Sequence, residues 1–180
     1  IEGKKTLGLE ICEQLGWRAP DAIVYPCGGG VGLIGIYRAL QQLEDIGWVS
    51  DRMPKLHVVQ AAGCAPIVHA FQQKLDESMR WDAPQTNAAG LRVPKALGDF
   101  LVLRALRETG GSAIAVTDDD IKDGMKLMAR EAGIGAAPEG AATLAGVRGL
   151  LARGDIKRDD QVVLINTGSA LKYGEVLSSL

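Results

Sequence analysis

Hydrophobic positions along the chain fall into two patterns, short unbroken apolar runs and longer stretches with a helical period. Residues 22–25, 56–60, 112–116 and 162–165 belong to the first kind, which predicts short strands buried on both faces. Stretches 2–15, 31–46, 66–79, 96–108, 117–132 and 141–152 belong to the second. In the first of these, Leu7, Ile11 and Leu15 recur at i, i+4 and i+8, and Gly16 ends the pattern. The stretch from Thr117 opens with Asp118, Asp119 and Asp120, acids suited to a helix N-terminus by capping and by the dipole, and Ile121, Met125 and Met128 form its apolar stripe. Residues 80–92 lack a clean period and read as a loop, and 133–140 as a turn. Strands alternating with helices of this length imply right-handed crossovers and a parallel sheet covered on both faces. The expected fold class is therefore α/β, a parallel sheet flanked by helices, in a single domain spanning 1–180.

Composition sharpens this at one place. Of 180 residues 23 are glycine, about twice the usual share of roughly 7%. Five of them crowd into eight positions, in Cys27-Gly28-Gly29-Gly30-Val31-Gly32-Leu33-Ile34-Gly35, between a predicted strand and a predicted helix. Such a loop lets main-chain N–H groups converge on a ligand, and at a helix N-terminus the dipole suits that ligand to be a phosphate. The alternative, glycines kept for a tightly packed turn, stays open on this evidence. Leu33 and Ile34 replace the Lys and Ser/Thr that a nucleoside-triphosphate loop needs. Gly30-Val31-Gly32-Leu33-Ile34-Gly35 fits a dinucleotide fingerprint literally, but the next strand runs into Gln60, Ala61, Ala62 and Gly63 with no acid for a ribose, and Asp51 precedes that strand.

The rest of the composition excludes more than it suggests. A formal net charge of −2 gives no electrostatic footprint for nucleic acid or an anionic membrane, and no apolar run reaches the length of a membrane span. Aromatic residues are only 4%, too few for base-stacking platforms. Three separated cysteines, Cys12, Cys27 and Cys64, fit a reducing cytoplasm, with Cys27 and Cys64 expected to be buried small residues. His57 and His69 are too few for a histidine-built metal centre and are expected to be structural or surface residues.

The glycine loop, with Tyr25-Pro26 before it, resembles the phosphate loop of fold-type II pyridoxal-phosphate enzymes, and within them the threonine synthases. Further stretches are similar to that family in the same order: Glu2-Gly3-Lys4-Lys5-Thr6, Glu13-Gln14-Leu15-Gly16-Trp17, Gln60-Ala61-Ala62-Gly63-Cys64-Ala65-Pro66-Ile67, Gly90-Leu91-Arg92-Val93-Pro94-Lys95, Pro138-Glu139-Gly140-Ala141-Ala142 and Asn166-Thr167-Gly168-Ser169. The resemblance implies pyridoxal 5′-phosphate as cofactor, its phosphate cradled by Gly28, Gly29, Gly30, Val31 and Gly32. It puts the Thr167 hydroxyl at the pyridine nitrogen, a neutral partner that suits elimination and replacement chemistry. Glu139 matches an acid near the ring, though a glutamate there also suits a helix N-terminus. Asn87, in Thr86-Asn87-Ala88-Ala89-Gly90, departs from the family's apolar residue.

The family's cofactor-binding lysine lies in a serine-rich segment upstream of the glycine loop, and none of Lys4, Lys5, Lys95, Lys122, Lys126 or Lys172 matches it. The resemblance therefore implies the C-terminal part of a larger enzyme, with no catalytic residue of its own and inactive alone. The implied reaction takes O-phospho-L-homoserine and water to L-threonine and phosphate. A threonine or serine dehydratase of the same fold is the nearest alternative, and a non-catalytic phosphate-ligand-binding domain another. The substrate is a small molecule, and homo-oligomerisation stays open.

Overall fold

The four predicted strands form one parallel sheet in a computed structural model that describes residues 1–49 and 53–180; Asp51 lies outside the described residues. β1 (Ala22–Pro26), β2 (Lys55–Ala61), β3 (Ser112–Val116) and β4 (Val162–Leu164) are ordered β3-β2-β1-β4. Val24 stands beside His57 on one side and Leu164 on the other, and Val59 beside Ile114.

Period-2 alternation divides the strand side chains between two apolar layers. On one face Ile23, Leu56 and Val58 pack with residues of α1 (Lys5–Gln14), α2 (Val31–Asp45), α3 (Pro66–Gln72) and α4 (Asp99–Glu108), including Leu33, Ile36, Leu103 and Leu106. On the other, Val24 and Val59 meet α5 (Asp118–Ala132) and α6 (Pro138–Ala152) through Met125, Ala141, Ala142 and Leu150. Small residues bring α6 close to the sheet: a Cβ on Gly146 would come within 2.5 Å of Val59 Cγ2. The α1 face is turned by one residue from the expected stripe, since Gly8 and Cys12 are the buried pair while Leu7 and Ile11 pack from its flank.

Three boundaries differ from expectation, each for a local reason. The helix expected over 66–79 ends at Gln72, where Lys74 adopts a left-handed φ of 57° and the chain closes with Lys74 N–H to Phe71 O (3.1 Å) and Leu75 N–H to Ala70 O (2.9 Å). That bond pair is a Schellman ending on a non-glycine residue. α4 starts at Asp99 rather than 96, because Lys95 and Asp99 are drawn to Ser78: Ser78 N–H donates to Asp99 Oδ2 at 2.8 Å, and Lys95 pairs with the same carboxylate at 2.7 Å. α6 starts at Pro138 rather than 141, with the proline at the first helical position where its missing N–H costs nothing. Beyond β4 the chain adds a single 3₁₀ turn (Ala170–Lys172) and a short α7 (Gly174–Ser178), neither expected.

β1 connects toward β2 on one side and pairs with β4 on the other, so the sheet order reverses between β1 and β4. In open parallel sheets ligands bind beyond the strand carboxyl ends at such a reversal. There the chain places the glycine loop, after β1, and Asn166-Thr167-Gly168, after β4.

Candidate functional site

The glycine loop leaves β1 at Cys27, whose N–H donates to Val59 O at 2.9 Å, and enters α2 at Gly30, the N-cap residue. Gly30 has φ 76°, a left-handed conformation open to glycine, and a Cβ there would also strike Val102. A Cβ on Gly28 would overlap the Gly90 carbonyl, and one on Gly32 the Tyr25 hydroxyl. These three glycines are therefore demanded by packing as well as by any ligand. Gly29 is different: a Cβ there meets nothing within 4 Å, and the residue faces open space at the cavity wall. The N–H groups of Gly28, Gly29 and Gly30 donate to no backbone carbonyl among the described residues, and those of Val31, Gly32 and Leu33 open the helix without intrahelical acceptors.

Gln60, which ends the second predicted strand without an acid, is fully buried and fully used. Its Nε2 donates to Cys27 O at 3.0 Å, while its Oε1 accepts from Ile67 N–H at 2.9 Å and Val68 N–H at 3.1 Å. One amide thus caps α3 and anchors the root of the glycine loop.

Thr167 emerges at the same sheet edge as Gly30, as β1 and β4 run parallel, and its exposed hydroxyl has no hydrogen-bond partner among the described residues. Ala137 N–H donates to Gly168 O at 2.9 Å, and Ala170 N–H to Gly135 O at 2.8 Å, tying this segment to the start of α6. Glu139, in the first turn of α6, is 7% exposed and accepts the Gly90 N–H on Oε1 at 2.7 Å and the Tyr173 hydroxyl on the same oxygen. The loop residues 28–32, Thr167 and Glu139 line one cavity of about 390 Å³.

Tyr25, Tyr173, Lys4 and Lys172 also line it and were not anticipated. Tyr25 had a signal, its place just ahead of the loop; Tyr173 had none, because an unforeseen 3₁₀ turn delivers it. Burial raises the Tyr25 phenol, and burial together with the Glu139 carboxylate pushes Tyr173 up to about 12, so both hydroxyls are donors at neutral pH. Asn87 does not line this cavity; it borders a neighbouring one of about 530 Å³, and its N–H donates to Asp118 at 3.0 Å. Cys27 and Cys64 are buried as expected, and burial pushes the Cys27 thiol up to about 12, which removes it as a nucleophile. His69 is exposed, and His57 is buried at the opposite sheet edge beside Ser112.

An open parallel sheet with unspent N–H donors and a free hydroxyl meeting at its strand-order reversal defines an α/β protein with an anion-suited ligand crevice. The chain belongs to the pyridoxal-phosphate dependent enzyme family, whose pattern matches residues 1–168. It is 37% identical over 172 residues to the threonine synthase of Methanocaldococcus jannaschii and 39% identical over 172 residues to that of Methanosarcina acetivorans, covering 96% of this chain in both cases. The chain spans 42% of the length of each of these relatives. Among solved structures, a fungal L-serine ammonia-lyase from Rhizomucor miehei superposes with TM-score 0.74 at 21% identity, over 98% of this chain and 55% of that one. A maize serine racemase does so with TM-score 0.74 at 22% identity, over 98% and 51%. The architecture is that of the fold-type II pyridoxal-phosphate enzymes.

Proposed function

We propose that the chain is the C-terminal part of a threonine synthase, converting O-phospho-L-homoserine and water to L-threonine and phosphate. The observation that carries this reading is near-complete coverage of the chain by the two archaeal threonine synthases at 37% and 39% identity. The cavity fits the family's cofactor: unspent N–H groups at residues 28–31 suit its phosphate, and the unpartnered Thr167 hydroxyl suits a ring nitrogen. When bound, pyridoxal 5′-phosphate supplies an electron sink for carbanion chemistry. The chain's own part is binding and orientation. Gly28, Gly29, Gly30, Val31 and Gly32 would hold the phosphate, and Thr167 would offer the ring a neutral dipole. Glu139 braces the cavity wall through Gly90. The cofactor-binding lysine and the substrate-phosphate contacts belong, on this reading, to the rest of the enzyme.

The test has two arms. The full-length protein, given cofactor and O-phospho-L-homoserine, should release phosphate and L-threonine in equal amounts; a 2-oxo acid and ammonia formed from threonine, with no phosphate release, would replace this reading with the dehydratase. In the 180-residue chain, Gly29→Ala should fold as wild type yet lose about tenfold in affinity for pyridoxal 5′-phosphate, measured by phosphorus NMR, because its methyl enters the cavity. Unchanged affinity in that variant would remove the loop from the site.

A further inference from the structure

Gly90 is held between two groups that differ in kind. Its N–H donates to the buried Glu139 carboxylate, and its carbonyl fills the space where a Gly28 Cβ would stand, 2.1 Å from that position, so Gly28 has no room for a side chain. A Cβ on Gly90 itself would lie 2.8 Å from Glu139 Oε1, so the carboxylate also sits flush against this residue. The same Oε1 takes the hydroxyl of Tyr173. Tyr173 is carried there by the 3₁₀ turn after β4, which Ser169 starts by accepting the Leu171 N–H on its side chain. An unbroken line of contacts therefore runs from the C-terminal turn to the first glycine of the loop.

We propose that Tyr173 is a positioning residue for the glycine loop, acting through Glu139 and Gly90 to set where the Gly28 and Gly29 N–H groups stand. A carboxylate with one donor can swing about its Cγ–Cδ bond; a second donor on the same oxygen fixes its plane. With Glu139 fixed, the Gly90 peptide is fixed, and its carbonyl becomes a rigid stop against Gly28. Donors that cradle a phosphate lose affinity once they stray by about half an ångström, so a stop of this kind acts on binding without touching the anion. The functional part of this inference rests on the proposed reading of the cavity as a cofactor-phosphate site, whereas the contact line itself does not.

Tyr173→Phe removes one oxygen and keeps the ring. In the 180-residue chain it should speed hydrogen exchange at the Gly90 amide about tenfold and shift the Gly28 amide resonance, with thermal stability nearly unchanged. The dissociation constant for pyridoxal 5′-phosphate should rise about three- to tenfold, and that for inorganic phosphate in the same proportion. In a Glu139→Ala background, Tyr173→Phe should add nothing further, since the relay is already cut. Equal losses in both backgrounds would mean that Tyr173 touches the ligand directly, and unmoved Gly28 and Gly90 amides would mean that no relay exists; either overturns the proposal. If the wild-type chain binds neither probe, the cofactor-site reading fails, and the two amides alone decide the relay.

Discussion

His57 shows how one buried side chain can govern the response of the fold to acid. It is fully buried at the amino edge of the sheet, away from the cavity, and its Nδ1 accepts the Ser112 N–H at 3.2 Å. Its Nε2 finds no partner among the described residues. Burial lowers its pKa from 6.5 to about 4; Asp155 and Asp160 pull upward, and Lys55 and Arg153 reinforce the lowering. Between those two values the unfolded chain binds the proton and the folded chain does not, so stability rises with pH across that window. Going from pH 7 to pH 5 should cost about 2 kcal/mol. The lowered carboxylates of Asp99 and Asp155 act below their ordinary value of 3.8 and leave this window to His57. Urea midpoints at the two pH values check it: His57→Gln should flatten the difference, and an equal slope in both proteins would contradict the assignment.

At the scale of elements, the sequence was most legible where a helix end is written in side chains and least where it is set by a neighbour. Thr117 and the three aspartates after it announce the start of α5, and the structure carries the full capping box, with Asp120 N–H to Thr117 Oγ1 at 3.1 Å and Thr117 N–H to Asp120 Oδ2 at 3.0 Å. The late start of α4 follows from the Ser78–Asp99–Lys95 group, whose members are 17 to 21 residues apart or four along a helix start, and no local pattern reveals that meeting. The loop was legible as a glycine-rich turn between a strand and a helix, yet the partners that make three of its glycines necessary, Gly90, Val102 and Tyr25, come from packing. Gln60 is the sharpest case: in the sequence it marks only a place where no ribose acid stands, whereas its amide joins the root of the glycine loop to the start of α3. Gln60→Met should therefore leave two N–H groups and one carbonyl buried without partners and cost about 2–4 kcal/mol in urea unfolding. A loss below about 1 kcal/mol would mean that water reaches these groups.

For the whole molecule, the proposed function divides binding from chemistry. On that proposal cofactor-phosphate binding is supplied by the loop, which shares one cavity with Thr167 and Glu139. Covalent capture is not. Lys4 and Lys172 are the lysines that line the cavity; Lys4 is in the turn before α1, and Lys172 in the turn that also presents Tyr173. Neither matches the family's lysine position. The 180-residue chain should accordingly bind pyridoxal 5′-phosphate reversibly, compete it off with inorganic phosphate, and release no phosphate from O-phospho-L-homoserine. Borohydride reduction of the mixture, followed by peptide mass analysis, checks the first half: labelling should be substoichiometric and spread over several lysines. A continuous phosphate assay checks the second. One lysine labelled stoichiometrically, together with turnover that disappears when that lysine is changed to methionine, would show that this chain carries its own catalytic amine and would sink the division of labour proposed for it.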